Sequence, residues 1–327
     1  MSVTLITGAG IIGCHTARLL ASRGENVLLL DIKPCSKAIA SIVDTPLVQV
    51  IQGDVSDFDT LSQLIVRNNV RRVVHTAAML STAIRANPLR GITVNMIGTA
   101  NILECGRMHH LDRVVLASST TVGYSAFDEF KGEVFPEDFS LRSISERPES
   151  IYAATKINAE HLALLYRDLY QLSTVTLRYA AVISAWAGPG TSVPGRVLET
   201  LARPAARGEV SVIDDPFITW LGGEEFIDAR DCASANIAAL DSITPAQGIY
   251  NVGMGLLHSF DEFVQAVRSI YPDLRIDQRV GPAGGFAGFK FVRNAASDLS
   301  VIKKELGWQP MHSLDESLAH FVPHCIH

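Results

Sequence analysis

The sequence predicts an α/β protein: a doubly wound parallel sheet followed by a smaller mixed α/β domain. Three observations carry this. Short β-branched runs alternate with longer stretches of helical period through about the first half of the chain, the pattern of βαβ units. Those runs are nearly all apolar, as strands buried on both faces must be. After Trp186 the texture changes to Gly and Pro punctuation, as in Ala187-Gly188-Pro189-Gly190-Thr191 and Val280-Gly281-Pro282-Ala283-Gly284-Gly285, which marks a second, more looped unit.

In chain order the predicted strands are Val3 to Ile6, Asn26 to Asp31, Val48 to Gln52, Arg72 to Thr76, Arg113 to Ser118 and Thr174 to Arg178. Between them, helical periodicity places helices at Ile11 to Arg23, Asp57 to Asn69, Val94 to His109 and Ile151 to Tyr170. The expected division is a dinucleotide-binding domain over residues 1–182, rejoined by parts of 226–252, and a substrate domain over 183–327. With 327 residues, 47% of them apolar, and a mean hydropathy of +0.20, the chain has material for two cores.

Charge and special residues exclude several classes of function. Thirty-four acids against 28 bases give a net charge of −6, so neither nucleic acid nor an anionic membrane is an expected partner. No apolar run approaches the ~18 residues of a spanning helix, and the N-terminus lacks a basic region with a cleavage site, so a cytoplasmic location is expected. The five cysteines, Cys14, Cys35, Cys105, Cys232 and Cys325, are odd in number and never form a CxxC pair, which predicts neither a disulfide framework nor a zinc knuckle. No metal site is expected from the ten histidines either. His320, His324 and His327 fall on one helical stripe, at a terminus expected to fray.

The strand Val3 to Ile6 runs into Thr7-Gly8-Ala9-Gly10-Ile11-Ile12-Gly13, a GxGxxG that opens a helix. The next strand ends in Asp31, 18 residues after Gly13, completing the context of a Rossmann dinucleotide fingerprint. Gly8, Gly10 and Gly13 let the backbone approach a pyrophosphate, and the amides of Ile11 and Ile12 at the helix N-terminus stabilise its charge. Asp31 would accept from the ribose hydroxyls and repel a 2′-phosphate, which predicts NAD rather than NADP. Gly53-Asp54-Val55 after the third strand offers Asp54 to the adenine amino group. After the fourth, Thr76-Ala77-Ala78 supplies small residues where the cofactor passes closely.

Tyr152 and Lys156 lie four apart in Tyr152-Ala153-Ala154-Thr155-Lys156, hence on one helix face. A neighbouring ammonium and a positive nicotinamide ring stabilise a phenolate, so the pair is predicted to act as an acid/base, with the tyrosine pKa pulled toward the working range. The strand Arg113 to Ser118 leads into Ser119-Thr120-Thr121, hydroxyls at the carboxyl edge of the sheet that would orient a substrate oxygen.

At these residues the chain resembles the extended short-chain dehydrogenase/reductases, the NAD-dependent epimerase/dehydratase family. The resemblance extends over Val94-Asn95-Met96-Ile97-Gly98-Thr99-Ala100-Asn101, Phe226-Ile227-Asp228-Ala229-Arg230-Asp231, Ile249-Tyr250-Asn251-Val252-Gly253 and Leu306-Gly307-Trp308. It implies Ser119 as the substrate-binding catalytic hydroxyl, Tyr152 as acid/base, and Lys156 as the ribose-binding residue that tunes Tyr152. It places Asn95 with Val55 among the cofactor-binding residues. It also implies a homodimer paired through the helices around Asn95 to Cys105 and Tyr152 to Tyr170.

The departures shape the functional reading. The glycine loop is one residue tighter than in most members. Ala181 and Glu224 stand where nucleotide-sugar members carry an Asn and an Arg that grip a diphosphate, so a carboxylate is expected to face that site repulsively. The expected activity is therefore NAD-dependent oxidation of a secondary alcohol on a small polar substrate, a sugar, sugar acid or hydroxy acid, with Ser81, Ser119, Thr120 and Tyr152 contacting it. A nucleotide-sugar epimerase or dehydratase using the same residues is the alternative, and a non-catalytic NAD sensor a remote one.

Overall fold

The computed structural model describes residues 3–127, 129–188, 192–243 and 245–326. Seven strands form one parallel sheet: β1 (Val3–Thr7), β2 (Asn26–Asp31), β3 (Val48–Gln52), β4 (Val70–His75), β5 (Arg113–Ser119), β6 (Thr174–Tyr179) and β7 (Ile249–Val252). Their order is β7-β6-β5-β4-β1-β2-β3. The chain thus winds outward from β1 in one direction and from β4 in the other, and the crevice at that reversal is where such sheets take ligands.

Alternation along each strand feeds two cores. Val27 and Leu29 of β2 join Cys14, Ala17 and Leu20 of helix α1 (Ile11–Ser22) on one face. Leu28 and Leu30 join Leu61 and Ile65 of α2 (Phe58–Arg67) and Ile102 of α3 (Gly98–Met108) on the other. Helix α2 starts where the Asp57 carboxylate accepts from the Thr60 amide at 3.0 Å. The predicted helix from Val94 instead opens as a π-helical turn, Thr93–Ile97, before the α-helical geometry of α3. The long helix α4 (Ile151–Tyr170) lies where the periodicity places it, capped by Ser150, whose hydroxyl oxygen accepts from the Ala153 amide at 3.1 Å. A left-handed Gln171 ends it.

The later segment contributes to both parts of the molecule. β7 pairs with β6 in the main sheet, and helix α5 (Ala229–Asp241) packs on α1. The remaining strands form small sheets, one of them Ala181–Ile183, Glu224–Asp228 and Leu257–His258. They cover a core of Leu198, Leu201, Phe226, Phe263 and Leu318, in which Trp220 meets the rings of Phe260, Phe263 and Phe286 edge-on. The C-terminal stripe is not frayed over its described part: Phe321 and Val322 are buried, and the His320 and His324 rings stand 5.7 Å apart. His327 lies outside the described residues.

Candidate active site

Gly8 adopts a left-handed φ of 93°, and a Cβ there would stand 2.6 Å from the Ala77 amide nitrogen. A Cβ on Gly13 would stand 2.0 Å from the Gly8 carbonyl oxygen. Both positions therefore need glycine to let the loop, the helix and the strand end pack. The first helical bond of α1 runs from the Cys14 amide to the Gly10 carbonyl at 2.9 Å, which leaves the Ile11, Ile12 and Gly13 amides ahead of it as an anion cradle. Thr76 shapes the loop from β4: its hydroxyl donates to the Thr7 carbonyl at 2.9 Å and the Gly8 carbonyl at 3.2 Å. Ala77 and Ala78 are partly exposed beside it. Asp31 accepts from the Ala9 amide at 2.9 Å through one oxygen and from the Lys33 amide at 2.8 Å through the other. Each oxygen keeps lone-pair capacity for a ribose hydroxyl.

Two expected cofactor residues are tied into the protein. The Val55 side chain is buried and its carbonyl accepts from Asn101 at 3.0 Å. Asn95 is buried; its carbonyl oxygen accepts from the Met79 amide at 2.8 Å, and its amide group donates to the Met79 carbonyl at 3.0 Å and the Thr155 hydroxyl at 3.2 Å. Thr155 in turn donates to the Tyr152 carbonyl at 2.7 Å. The Asn95 side chain thus holds the loop that leads to Ser81 against the helix that carries Tyr152.

The structure brings the three catalytic candidates together. β5 ends at Ser119, whose oxygen accepts from the Thr121 amide at 3.3 Å and hydroxyl at 3.1 Å, leaving its own proton to donate. Burial raises the Tyr152 phenol to about 12, against a hydrogen bond from Ser119 that lowers it. The Lys156 Nζ donates to the Ala117 carbonyl at 2.7 Å and lies over the Tyr152 ring, 5.7 Å from its centre, rather than bonding the phenol oxygen. Burial lowers Lys156 to about 8, opposed by Glu160 one turn along the helix, so the ammonium stays mostly charged at neutral pH. Glu160 is clamped by Arg178 at 2.8 and 2.7 Å and by the Ser118 hydroxyl. That spacing from Lys156 is visible in the sequence; the partner on β6 is not.

His75, buried at the end of β4, contacts the Thr7 hydroxyl at 2.6 Å through Nδ1 and the Thr99 hydroxyl at 3.2 Å through Nε2. Thr99 gives its one proton to the Asn95 carbonyl at 2.7 Å, so Nε2 carries a hydrogen. Burial, then Lys156, lowers His75 to about 3, and burial lowers His15 to about 4. An unfolded chain binds these protons near pH 6.5, so the native state loses stability as pH falls below that value, by up to about 1.4 kcal/mol per pH unit per histidine. Urea midpoints measured from neutral pH down to about pH 5 are expected to show this slope, and His75→Gln to flatten it. A slope unchanged by that substitution would contradict the buried, neutral ring.

A model of the NAD dependent epimerase/dehydratase family matches residues 4–253. The chain belongs to this family. Among relatives, it is 27% identical over 321 residues to the mitochondrial L-threonine 3-dehydrogenase of Bos taurus, covering 95% of this chain and 79% of that one. It is 31% identical over 284 residues to Protein CapI of Staphylococcus aureus, covering 81% and 82% respectively. The UDP-glucose 4-epimerase of Thermus thermophilus in complex with NAD superposes with a TM-score of 0.75 at 26% identity, over 99% of this chain and 98% of that one. The chain is thus an NAD-dependent enzyme of the epimerase/dehydratase type. The Gly8 to Gly13 cradle and Asp31 fit that cofactor.

Two expectations differ in the structure. Thr120, expected on the substrate, begins a 3-10 turn, Thr120–Ala126, that carries its side chain inward to a small buried cavity shared with Arg178, Asn251 and Arg293. Glu224 does not confront a diphosphate. It is fully buried, accepts from Tyr124 at 2.7 Å and from Arg293 at 3.2 Å, and burial raises its pKa against the pull of Arg293. Arg293 is in turn held by Glu224, Glu225 and the Ala295 carbonyl. Ser81 starts the short helix Ser81–Ala86 and is partly exposed on the loop pinned by Asn95. Among the described residues no group of three or more His, Cys, Asp or Glu is arranged to hold a metal, and no helix is long and apolar enough to cross a membrane.

Proposed function

We propose that this enzyme oxidises a secondary alcohol of a small polar substrate, a sugar, sugar acid or hydroxy acid. NAD, when bound, supplies the hydride acceptor and a positive ring beside the phenol. Tyr152 receives the alcohol proton, Ser119 donates to the substrate oxygen and orients it, and Lys156 holds the cofactor ribose while its charge favours the phenolate. Ser81 lines the substrate end. Asp31 takes the ribose hydroxyls, with the Ile11, Ile12 and Gly13 amides on the pyrophosphate and Asp54, Val55, Thr76, Ala77 and Ala78 along the adenine half.

The observation that favours a small substrate is the pairing of four guanidiniums of the second half of the chain. Arg178 faces Glu160, Arg196 faces Asp215, Arg230 faces Asp228, and Arg293 faces Glu224 and Glu225. A diphosphate needs such a cation unpaired, and a charge-assisted bond to one contributes ~1.5 to 3 kcal/mol. Titrating the NAD-loaded protein with UDP-glucose, UDP-galactose and UDP-glucuronate is expected to show no binding at micromolar levels. A micromolar dissociation constant for any of them would establish the second reading, a redox-neutral nucleotide-sugar epimerase, which the likeness to UDP-sugar epimerases supports. The intact Ser119, Tyr152 and Lys156 speak against a non-catalytic sensor.

The Asp31 geometry predicts a preference for NAD over NADP, with Asp31→Ala narrowing the gap. Equal affinities in the unmutated protein would contradict it. We further propose a homodimer through α3 and α4, on which Ile97 beside α3, Met108, Leu165, Leu169 and Tyr170 are exposed; a monomer mass in sedimentation equilibrium would remove that proposal. The free thiols of Cys14, Cys35, Cys105 and Cys232 fit a reducing, cytoplasmic setting, which oxidised thiols in protein isolated from its native cells would contradict.

A further inference from the structure

Asp54 and Arg90 belong to loops on opposite sides of the dinucleotide crevice. Asp54 follows β3 at the edge of the sheet, and Arg90 lies in the short helix Pro88–Ile92 beyond the β4 loop. Between β3 and β4 run β1 and β2, whose carboxyl ends carry the Gly8 to Gly13 loop and Asp31. Neighbouring strands lie ~4.8 Å apart, so the two loops spring from strands roughly 14 Å apart. Yet the Arg90 guanidinium reaches across, with Nη2 donating to Asp54 Oδ2 at 2.6 Å and Nη1 to the Ser56 hydroxyl at 3.3 Å.

Both ends of this bridge are anchored. The Arg90 amide donates to Asn87 at 3.2 Å, and beside it Gly91 packs so closely on Ile84 that a Cβ would stand 2.5 Å from that side chain. At the other end, Val55 is buried against Gly98. Burial of Asp54 opposes its charge, but the Ser56 amide and hydroxyl and Arg90 outweigh it and hold the carboxyl below its ordinary value. Three donors occupy a carboxylate that offers about four acceptor positions, leaving room for one more, such as an adenine amino group. The pair itself is about one-third exposed, at 33% and 28%, so water and salt can open it.

We propose that the Asp54–Arg90 ion pair is a clasp over the adenine end of the NAD site that slows exchange of the cofactor. The inference rests on the reading of Gly8 to Gly13 and Asp31 as the dinucleotide site. Its test is displacement of bound NADH from the full chain, followed by stopped-flow fluorescence, for the unmutated protein, Arg90→Met and Arg90→Lys. Arg90→Met is expected to release NADH roughly three- to tenfold faster, the range of one partly exposed charge-assisted pair, with Arg90→Lys between the two. Affinity for ADP-ribose should fall with the same variant while that for nicotinamide mononucleotide stays unchanged. Added salt should speed release from the unmutated protein toward the Arg90→Met rate. An Arg90→Met protein that folds normally and releases NADH no faster than the unmutated one overturns the clasp. If that variant does not fold, a salt-independent release rate in the unmutated protein overturns it equally. Failure of the underlying site reading looks different: Asp31→Ala would then leave NADH binding untouched.

Discussion

Replacing Tyr152 with Phe is expected to lower turnover by roughly a hundred- to ten-thousandfold, the contribution of a positioned acid/base group, while NAD affinity changes little. The phenyl ring keeps the volume beside Ser119, and Lys156 is held by the Ala117 carbonyl rather than by the phenol, so neither the helix nor the ammonium moves. What disappears is the oxygen that Ser119 addresses and that receives the alcohol proton. Steady-state turnover beside an NADH fluorescence titration separates the two effects. A variant with most of its turnover intact would make Tyr152 a packing residue.

The second large effect is on stability. Arg293→Met leaves Glu224 and Glu225 buried without their cation, and breaking a buried pair of this kind costs about 3 to 5 kcal/mol. The sign with pH follows from Glu224, whose carboxyl is already raised by burial and rises further once the guanidinium is gone. A raised carboxyl binds its proton in the native state before the unfolded chain does, so the variant's deficit shrinks as pH falls and grows as pH rises. Thermal midpoints at mildly acidic and mildly alkaline pH, each against the unmutated protein, are expected to show this. A deficit that is small at alkaline pH would contradict the cluster as described. The loss should also reach the end of β5, because Tyr124 and Phe127, which meet Glu224 and Arg293, lie five and eight residues after Ser119.

How much of this was legible in the sequence depends on the range of the interaction. β2 and α4 match their predicted bounds because local pattern decides them: an apolar run ending in an acid, and a periodic stretch with Ser150 ahead of it. The glycine loop was equally legible, since Gly8 and Gly13 answer to backbone geometry within a few residues. Glu224 was misread because its partner Arg293 is 69 positions away, and no spacing rule announces a buried pair across that distance. Thr120 differs for another reason: the chain coils into a 3-10 turn at this residue and buries its side chain, and nothing local in Ser119-Thr120-Thr121 announces the turn. Asn95 has its answer in Met79 and Thr155, and only tertiary packing reveals that its amide is committed to them.

The central claim is net oxidation of a small secondary alcohol at Tyr152, and the absorbance of NADH tests it most directly. Purified protein is incubated with NAD and, separately, with sugars, aldonates, uronates, hydroxy acids and UDP-sugars. The structure predicts that NADH accumulates with at least one small substrate, that Tyr152→Phe abolishes the accumulation, and that the UDP-sugars leave it at baseline. Conversion of a UDP-sugar to its epimer with no net NADH, and no NADH from any small alcohol, would contradict it.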